Sequence, residues 1–167
     1  LIAFLCFCLC ASGIYVLNDL ADFASDRAHR LKKHRPIAAG DLSIPAAVVL
    51  SIVLIVFAFL FSVALGSEFR YCLLSYALVT TLFSFGLKRV ALVDIFVLAS
   101  LYVLRLLTGG VAVGVSVSHW LLGFSMFMFL SLACVKRYSE LFSLREHDGK
   151  ALKGRGYSST DIDTIST

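Results

Sequence analysis

No charged residue interrupts the chain from Ile44 to Leu65. A bilayer's hydrocarbon core is crossed by about 20 apolar residues in a helix, so this run is long enough for one passage. Inside lipid the backbone must satisfy its own hydrogen bonds, which makes the helix the form such a run can take. Pro45 falls in the first turn, where proline's missing N–H is no loss. Four more apolar stretches follow the same logic: Leu1 to Leu17, Tyr71 to Leu87, Leu92 to Val115 (interrupted by Arg105 and Gly109-Gly110), and His119 to Val135. Trp120 is placed like an interfacial anchor. Hydrophobic residues make up 59% of the 167 and charged residues only 16%, whereas a soluble domain carries about a quarter charged residues. The fold these features predict is all-α, a polytopic transmembrane helical bundle. Its spans lie near 1–17, 44–65, 71–87, 92–115 and 119–135, with loops at 18–43, 88–91 and 136–167, all in one domain covering 1–167.

The basic residues give this bundle an orientation. The loop after the first span holds five Lys/Arg, the turn after the third holds Lys88 and Arg89, and the tail from Lys136 holds six. Alternating crossings put all of these on one face, leaving Arg70 on the other and Arg105 within a span. Cytoplasmic loops carry the Lys/Arg excess, so the crowded face is the cytoplasmic one. The opening LIAFLCFCLC has no Met and no basic leader, so it does not read as a signal peptide. The chain is expected to be a piece of a longer protein, entered part-way through a membrane helix. Cys6, Cys8, Cys10, Cys72 and Cys134 all sit in apolar runs without metal-ligand spacing and read as small hydrophobes.

Between the first two spans lies a polar island, Asn18 to Gly40, reading NDLADFASDRAHRLKKHRPIAAG. Asn18, Asp19, Asp22 and Asp26 recur at helical spacing. At about 100° per residue they share an arc of about 100° on one helix face. Like charges so placed repel, and a cation would offset that repulsion. Carboxylate and amide oxygens are hard ligands, suited to Mg²⁺ bridging to substrate phosphates. Arg27, Arg30, Lys32, Lys33 and Arg35 follow directly, and such side chains bind phosphate oxygens.

Two further segments bring cations to the same face. Lys88-Arg89 is by itself an ordinary topology determinant. Lys136-Arg137-Tyr138-Ser139-Glu140, followed by Gly154-Arg155-Gly156-Tyr157, reads as a clamp for a polyphosphate, with Glu140 orienting a cation or a sugar hydroxyl. Asp94 lies near the start of the fourth span, and Arg105 lies about 16 Å deeper, too far for a direct pair along one helix. An ionisable group within a span is a functional candidate by default. His119 reads as an interfacial residue.

The motif Asn18-Asp19-x-x-Asp22-x-x-x-Asp26 resembles the first aspartate motif of the UbiA superfamily of intramembrane prenyltransferases. Tyr15, the Arg35-Pro36-Ile37-Ala38-Ala39-Gly40 close and the Leu87-Lys88-Arg89 turn match as well. The resemblance covers essentially the whole chain and makes it a partial UbiA-type domain, carrying the second to the sixth of the family's helices. Where aromatic prenyltransferases of the family have a second D-x-x-x-D motif, this chain has Lys136-Arg137-Tyr138-Ser139-Glu140-Leu141. That pattern is similar to the decaprenyl-phosphate phosphoribosyltransferase branch. The resemblance then implies a Mg²⁺-dependent transferase with pyrophosphate as leaving group. Its metal would be held by Asn18, Asp22 and Asp26, with Asp19, Asp22 and Asp26 catalytic. Arg27, Lys32, Arg35, Lys88, Arg89, Lys136, Arg137, Glu140, Arg155 and Tyr157 would bind substrate. The implied partners are a polyprenyl phosphate, phosphoribosyl pyrophosphate and membrane lipid, with no nucleic acid. The alternative within the class is transfer of an isoprenoid from a prenyl diphosphate to an aromatic or quinone precursor. The alternative outside it is a non-catalytic transporter or lipid-binding protein. A multi-pass protein of the bacterial inner membrane, with its site on the cytoplasmic face, is the expected setting.

Overall fold

The computed structural model describes residues 1–28, 32–86, 90 and 92–147, with side chains as far as Ser139. Among the described residues every regular element is helical: α1 (Ile2–Ala21), α2 (Phe23–Ala28), a 3₁₀ turn (Lys32–His34), α3 (Pro36–Ala39), α4 (Ile44–Ser62) with a 3₁₀ turn (Val63–Leu65), α5 (Ser67–Phe85), α6 (Val93–Val113) and α7 (His119–His147). Among the described residues four stretches, Ile2–Ala21, Ile44–Leu65, Val93–Val113 and His119–Ser139, are long and apolar enough to cross a membrane. The all-α, membrane-spanning class expected from the apolar runs is thus the one these helices form.

The chain divides into two compact units, Leu1–Thr81 and Leu82–Thr167. In the first, α1 packs along α4. The inward residues of α4 are small, Ala47, Ser51, Ala58 and Ser62, while Val49, Ile52, Val56 and Leu60 are exposed. That inversion of the soluble-protein pattern suits a helix with lipid outside, where small residues let backbones approach closely. Gly13 is the point of closest approach. A Cβ there would lie 2.7 Å from Ile55 Cγ1 and 3.0 Å from the Ser51 carbonyl oxygen. The Ser51 hydroxyl donates to the Gly13 carbonyl at 2.9 Å. Phe7 of α1 meets the Phe69 and Tyr76 rings of α5 edge-on, at centroid separations of 6.1 and 5.1 Å.

Helix α5 stands where the third span is expected. Glu68, Arg70 and its hydroxyl residues leave it less apolar than the four stretches above. Ser75, Thr80 and Thr81 offset part of that polarity by donating to the carbonyls of Tyr71, Tyr76 and Ala77, one turn back, at 2.9, 2.7 and 2.7 Å.

In the second unit α6 and α7 pack as neighbours. The Gly109-Gly110 pair does not break α6, which runs on to Val113. Its end is closed by bonds from the amides of Gly114 and Val115 to the carbonyls of Val111 and Gly110, the paired arrangement of a Schellman motif. Tyr102 and Phe129 stack between the two helices at 4.7 Å.

Candidate functional site

The apolar run of α1 does not end the helix. It continues through Asn18 and Asp19 to Ala21, and Asp22 caps it at φ −91°, ψ 4°, the bridge region between helix and strand conformations. The expectation of one unbroken helix face through Asp26 is corrected here: the chain bends at Asp22 and restarts as α2. Asn and Asp compete with the helix for backbone hydrogen bonds, so a boundary at this cluster is physically natural. The turn-by-turn ladder nevertheless survives the bend. Asp22 N–H donates to the Asn18 carbonyl at 2.9 Å, and Asp26 N–H donates to that of Asp22 at 2.8 Å. Asn18, Asp22 and Asp26 therefore still follow one another at one-turn steps.

Arg35 reaches this stretch from the far end of the island. Pro36 disfavours helical torsions in the residue before it, and Arg35 is accordingly extended at φ −65°, ψ 143°. Its amide donates to the Lys32 carbonyl at 3.0 Å, and its carbonyl accepts from Ala39 at 2.7 Å. Held at both ends, its guanidinium bridges two acids with one nitrogen: Nη1 is 2.7 Å from Asp19 Oδ1 and 2.8 Å from Asp26 Oδ2. The following turn of α3 is closed by Gly40 at φ 92°, a left-handed conformation that favours glycine. Ile37 and Ala38 are buried beneath it.

Asp26 is 1% exposed, yet its Oδ1 has no hydrogen-bond partner among the described residues. A buried carboxylate oxygen left so is costly. A hard cation would satisfy it, and the oxygen-only donor set of Asn18, Asp19, Asp22 and Asp26 fits Mg²⁺-type chemistry. Among the described residues no three His, Cys, Asp or Glu side chains form a ready cage. Mg²⁺ needs none, since it keeps waters and is bound through one or two carboxylates plus substrate phosphates. The acids that converge here are Asp19 and Asp26, joined by Arg35, while Asn18 and Asp22 are half-buried beside them.

The remaining predicted residues divide by place. Arg27 is exposed on α2, its guanidinium 5.4 Å above the Phe23 ring. Lys32 is exposed in the 3₁₀ turn. Lys136 and Arg137 belong to the second unit. Lys136 is exposed at the edge of a cavity of about 220 Å³ lined by Leu98, Tyr102, Phe129, Leu132 and Ala133. Arg137 is turned inward, 3% exposed, and forms an ion pair with the fully buried Asp94. This corrects its expected place in an open phosphate clamp. Arg105, expected to be buried, is exposed in this unit, with its guanidinium 5.4 Å from the Tyr102 ring centroid. Lys88, Arg89, Arg155, Tyr157 and the side chain of Glu140 lie outside the described residues.

The Asp94–Arg137 pair is the contact that sequence reasoning missed, having compared Asp94 only with Arg105 on its own helix. A signal for it existed. Two antiparallel helices joined by a short turn bring together residues about equally far from that turn, and Asp94 and Arg137 are so placed around 114–118.

A model of the UbiA prenyltransferase family matches residues 1–155. The chain belongs to the UbiA prenyltransferase family. It is 39% identical over 160 residues, 96% of this chain and 52% of the relative, to nodulation protein NoeC of Azorhizobium caulinodans. It is 38% identical over 152 residues, 91% of this chain and 48% of the relative, to a decaprenyl-phosphate phosphoribosyltransferase of Mycolicibacterium smegmatis. The relative of that name from Mycobacterium tuberculosis is 36% identical over 160 residues, 95% of this chain and 53% of its own length. The chain thus spans about half the length of these curated relatives. The UbiA match takes in both described units, so the Arg35-bridged acids and the Asp94–Arg137 pair are both features of a UbiA domain.

Proposed function

We propose that the chain is the metal-and-diphosphate end of an integral membrane transferase that moves a phosphoribosyl group from phosphoribosyl pyrophosphate to a polyprenyl phosphate. The observation that carries the proposal is the buried Asp26 carboxylate oxygen, unsatisfied among the described residues, beside Asp19 and Arg35 at the end of a membrane helix. The names of the relatives from Mycolicibacterium smegmatis and Mycobacterium tuberculosis support this choice of donor and acceptor.

In this reading a lipid phosphate oxygen bonds to the anomeric carbon. The bond from that carbon to pyrophosphate breaks, and its electron pair leaves on the pyrophosphate oxygen. Asn18, Asp22 and Asp26 would hold Mg²⁺, with Asp19 in support. When bound, the metal supplies charge neutralisation to the leaving group. Arg27, Lys32 and Arg35 lie on the same island and neutralise the charge that develops on the departing oxygens. The exposed apolar faces of the helices suit an isoprenoid tail in lipid. The cations that follow α1 favour a cytoplasmic site in a bacterial inner membrane, where phosphoribosyl pyrophosphate would have access.

Membranes holding the full-length protein, given labelled phosphoribosyl pyrophosphate and polyprenyl phosphate, are expected to yield a labelled lipid. Absence of that lipid, with prenylation of a supplied aromatic acid instead, would replace this reading by isoprenoid transfer from a prenyl diphosphate. Transport without chemical conversion would replace it by a non-catalytic carrier.

A further inference from the structure

Arg35 stands where a cation is wanted. Its Nη1 lies between Asp19 Oδ1 and Asp26 Oδ2, at 2.7 and 2.8 Å. The second oxygen of the buried Asp26 remains unsatisfied among the described residues. The guanidinium is also 38% exposed, so its outer edge already faces solvent. We propose that Arg35 is the resident counter-ion of this acidic seat, and that it makes divalent-metal binding conditional on a diphosphate arriving with the metal. The proposal rests on the metal-and-diphosphate reading of the same site.

The argument is one of charge and geometry. With Arg35 in place, the Asp19–Asp26 pair carries one net negative charge. A free divalent ion entering there meets a guanidinium within a few ångströms and must coexist with it or expel it. Expulsion strips a charge-assisted bond from a carboxylate that is 1% exposed, and the displaced cation gains only water in return. A metal carrying a diphosphate changes both sides of the exchange. The metal takes over the carboxylates, and the released guanidinium finds a new anion, whose oxygens suit its planar fork of donors. The backbone of Arg35 is pinned by its bonds to Lys32 and Ala39 and by Pro36. The exchange therefore needs a side-chain swing and no refolding of the island. Because coupling between two ligands is reciprocal, the site should discriminate against free metal and against free diphosphate alike.

The test compares full-length wild type with Arg35→Gln in detergent, using Mn²⁺ alone as the probe and paramagnetic resonance of the unbound ion as the readout. Arg35→Gln is expected to bind Mn²⁺ about tenfold more tightly than wild type, within the usual range of coupling between sites. Equal or weaker binding by Arg35→Gln would make Arg35 a fixed part of the seat and overturn the exchange. If neither protein binds Mn²⁺, the metal reading itself falls, and this inference falls with it. Wild-type protein supplies a second measurement that does not depend on the variant folding. Mn²⁺ alone or pyrophosphate alone should leave phenylglyoxal labelling of Arg35, read by mass spectrometry, near its starting value, and the two together should lower it as the diphosphate covers the released guanidinium. A change as large with either one alone as with both overturns the proposal.

Discussion

Asp26→Asn keeps the shape of a side chain that is 1% exposed but removes its charge. Arg35 would retain Asp19, so the island should keep its fold while losing the seat for a divalent ion. The expected outcome is loss of Mn²⁺ binding and a fall of about 100-fold in labelled lipid product, on the scale seen when one electrostatic contact to developing charge is removed. A second residue-scale test concerns Asp94 and Arg137, which are 0% and 3% exposed. Removing one partner of a buried ion pair leaves a charge in a poor solvent and costs about 3–5 kcal/mol. Asp94→Ala should therefore lower thermal stability in detergent sharply. Combining Asp94→Leu with Arg137→Met should recover most of the loss, because neither charge is then left buried. If the double substitution is as unstable as the single one, the pair is not the source of the cost.

Among the elements, the α1–α4 contact is set by what is missing from Gly13. A side chain there would collide with Ile55 Cγ1 at 2.7 Å and press on the Ser51 carbonyl at 3.0 Å. Gly13→Val should separate the two helices, break the Ser51 hydroxyl bond to the Gly13 carbonyl and destabilise the first unit by about 1–3 kcal/mol, the usual cost of overpacking. The check is thermal unfolding of Gly13→Val against Gly13→Val with Ile55→Ala. Partial recovery in the double variant is expected, since only the side-chain part of the collision is relieved. Much of this level was legible beforehand. Long apolar runs dictated helices, and the observed ones lie where those runs lie. Their ends were less legible, because hydropathy fades at Leu17 and Val135 while backbone hydrogen bonding continues to Ala21 and His147.

For the whole molecule, the sidedness of the charged segments depends on α5 crossing the bilayer, and α5 is less apolar than the stretches Ile2–Ala21, Ile44–Leu65, Val93–Val113 and His119–Ser139. Cysteines placed at Glu68 and Val90, in a background without the five native cysteines, bracket it. They are expected to react with a membrane-impermeant thiol reagent from opposite sides of the membrane, Glu68 from outside and Val90 from the cytoplasm. Reaction of both from one side would show that α5 does not cross, and would undo the placing of all the basic loops on one face.

The sequence by itself determined the helical membrane class, the position of the polar island and the family. Each depends on local composition or on residue spacing along one segment, which the chain carries whatever its partners. The bend at Asp22 was less visible, because an aspartate fits both a helix face and a helix boundary. Only the tertiary structure decided which charges meet. Arg35 joins Asp19 and Asp26 across 16 and 9 residues, and Arg137 finds Asp94 across 43. Such pairings depend on where a turn returns the chain and on which face of a helix is buried, and burial decides whether a charge seeks solvent or a partner. On that ground the basic residues that read as a uniform phosphate-binding set include an exposed Lys136, a buried Arg137 paired with Asp94, and an Arg35 that already occupies the acids it was expected only to accompany.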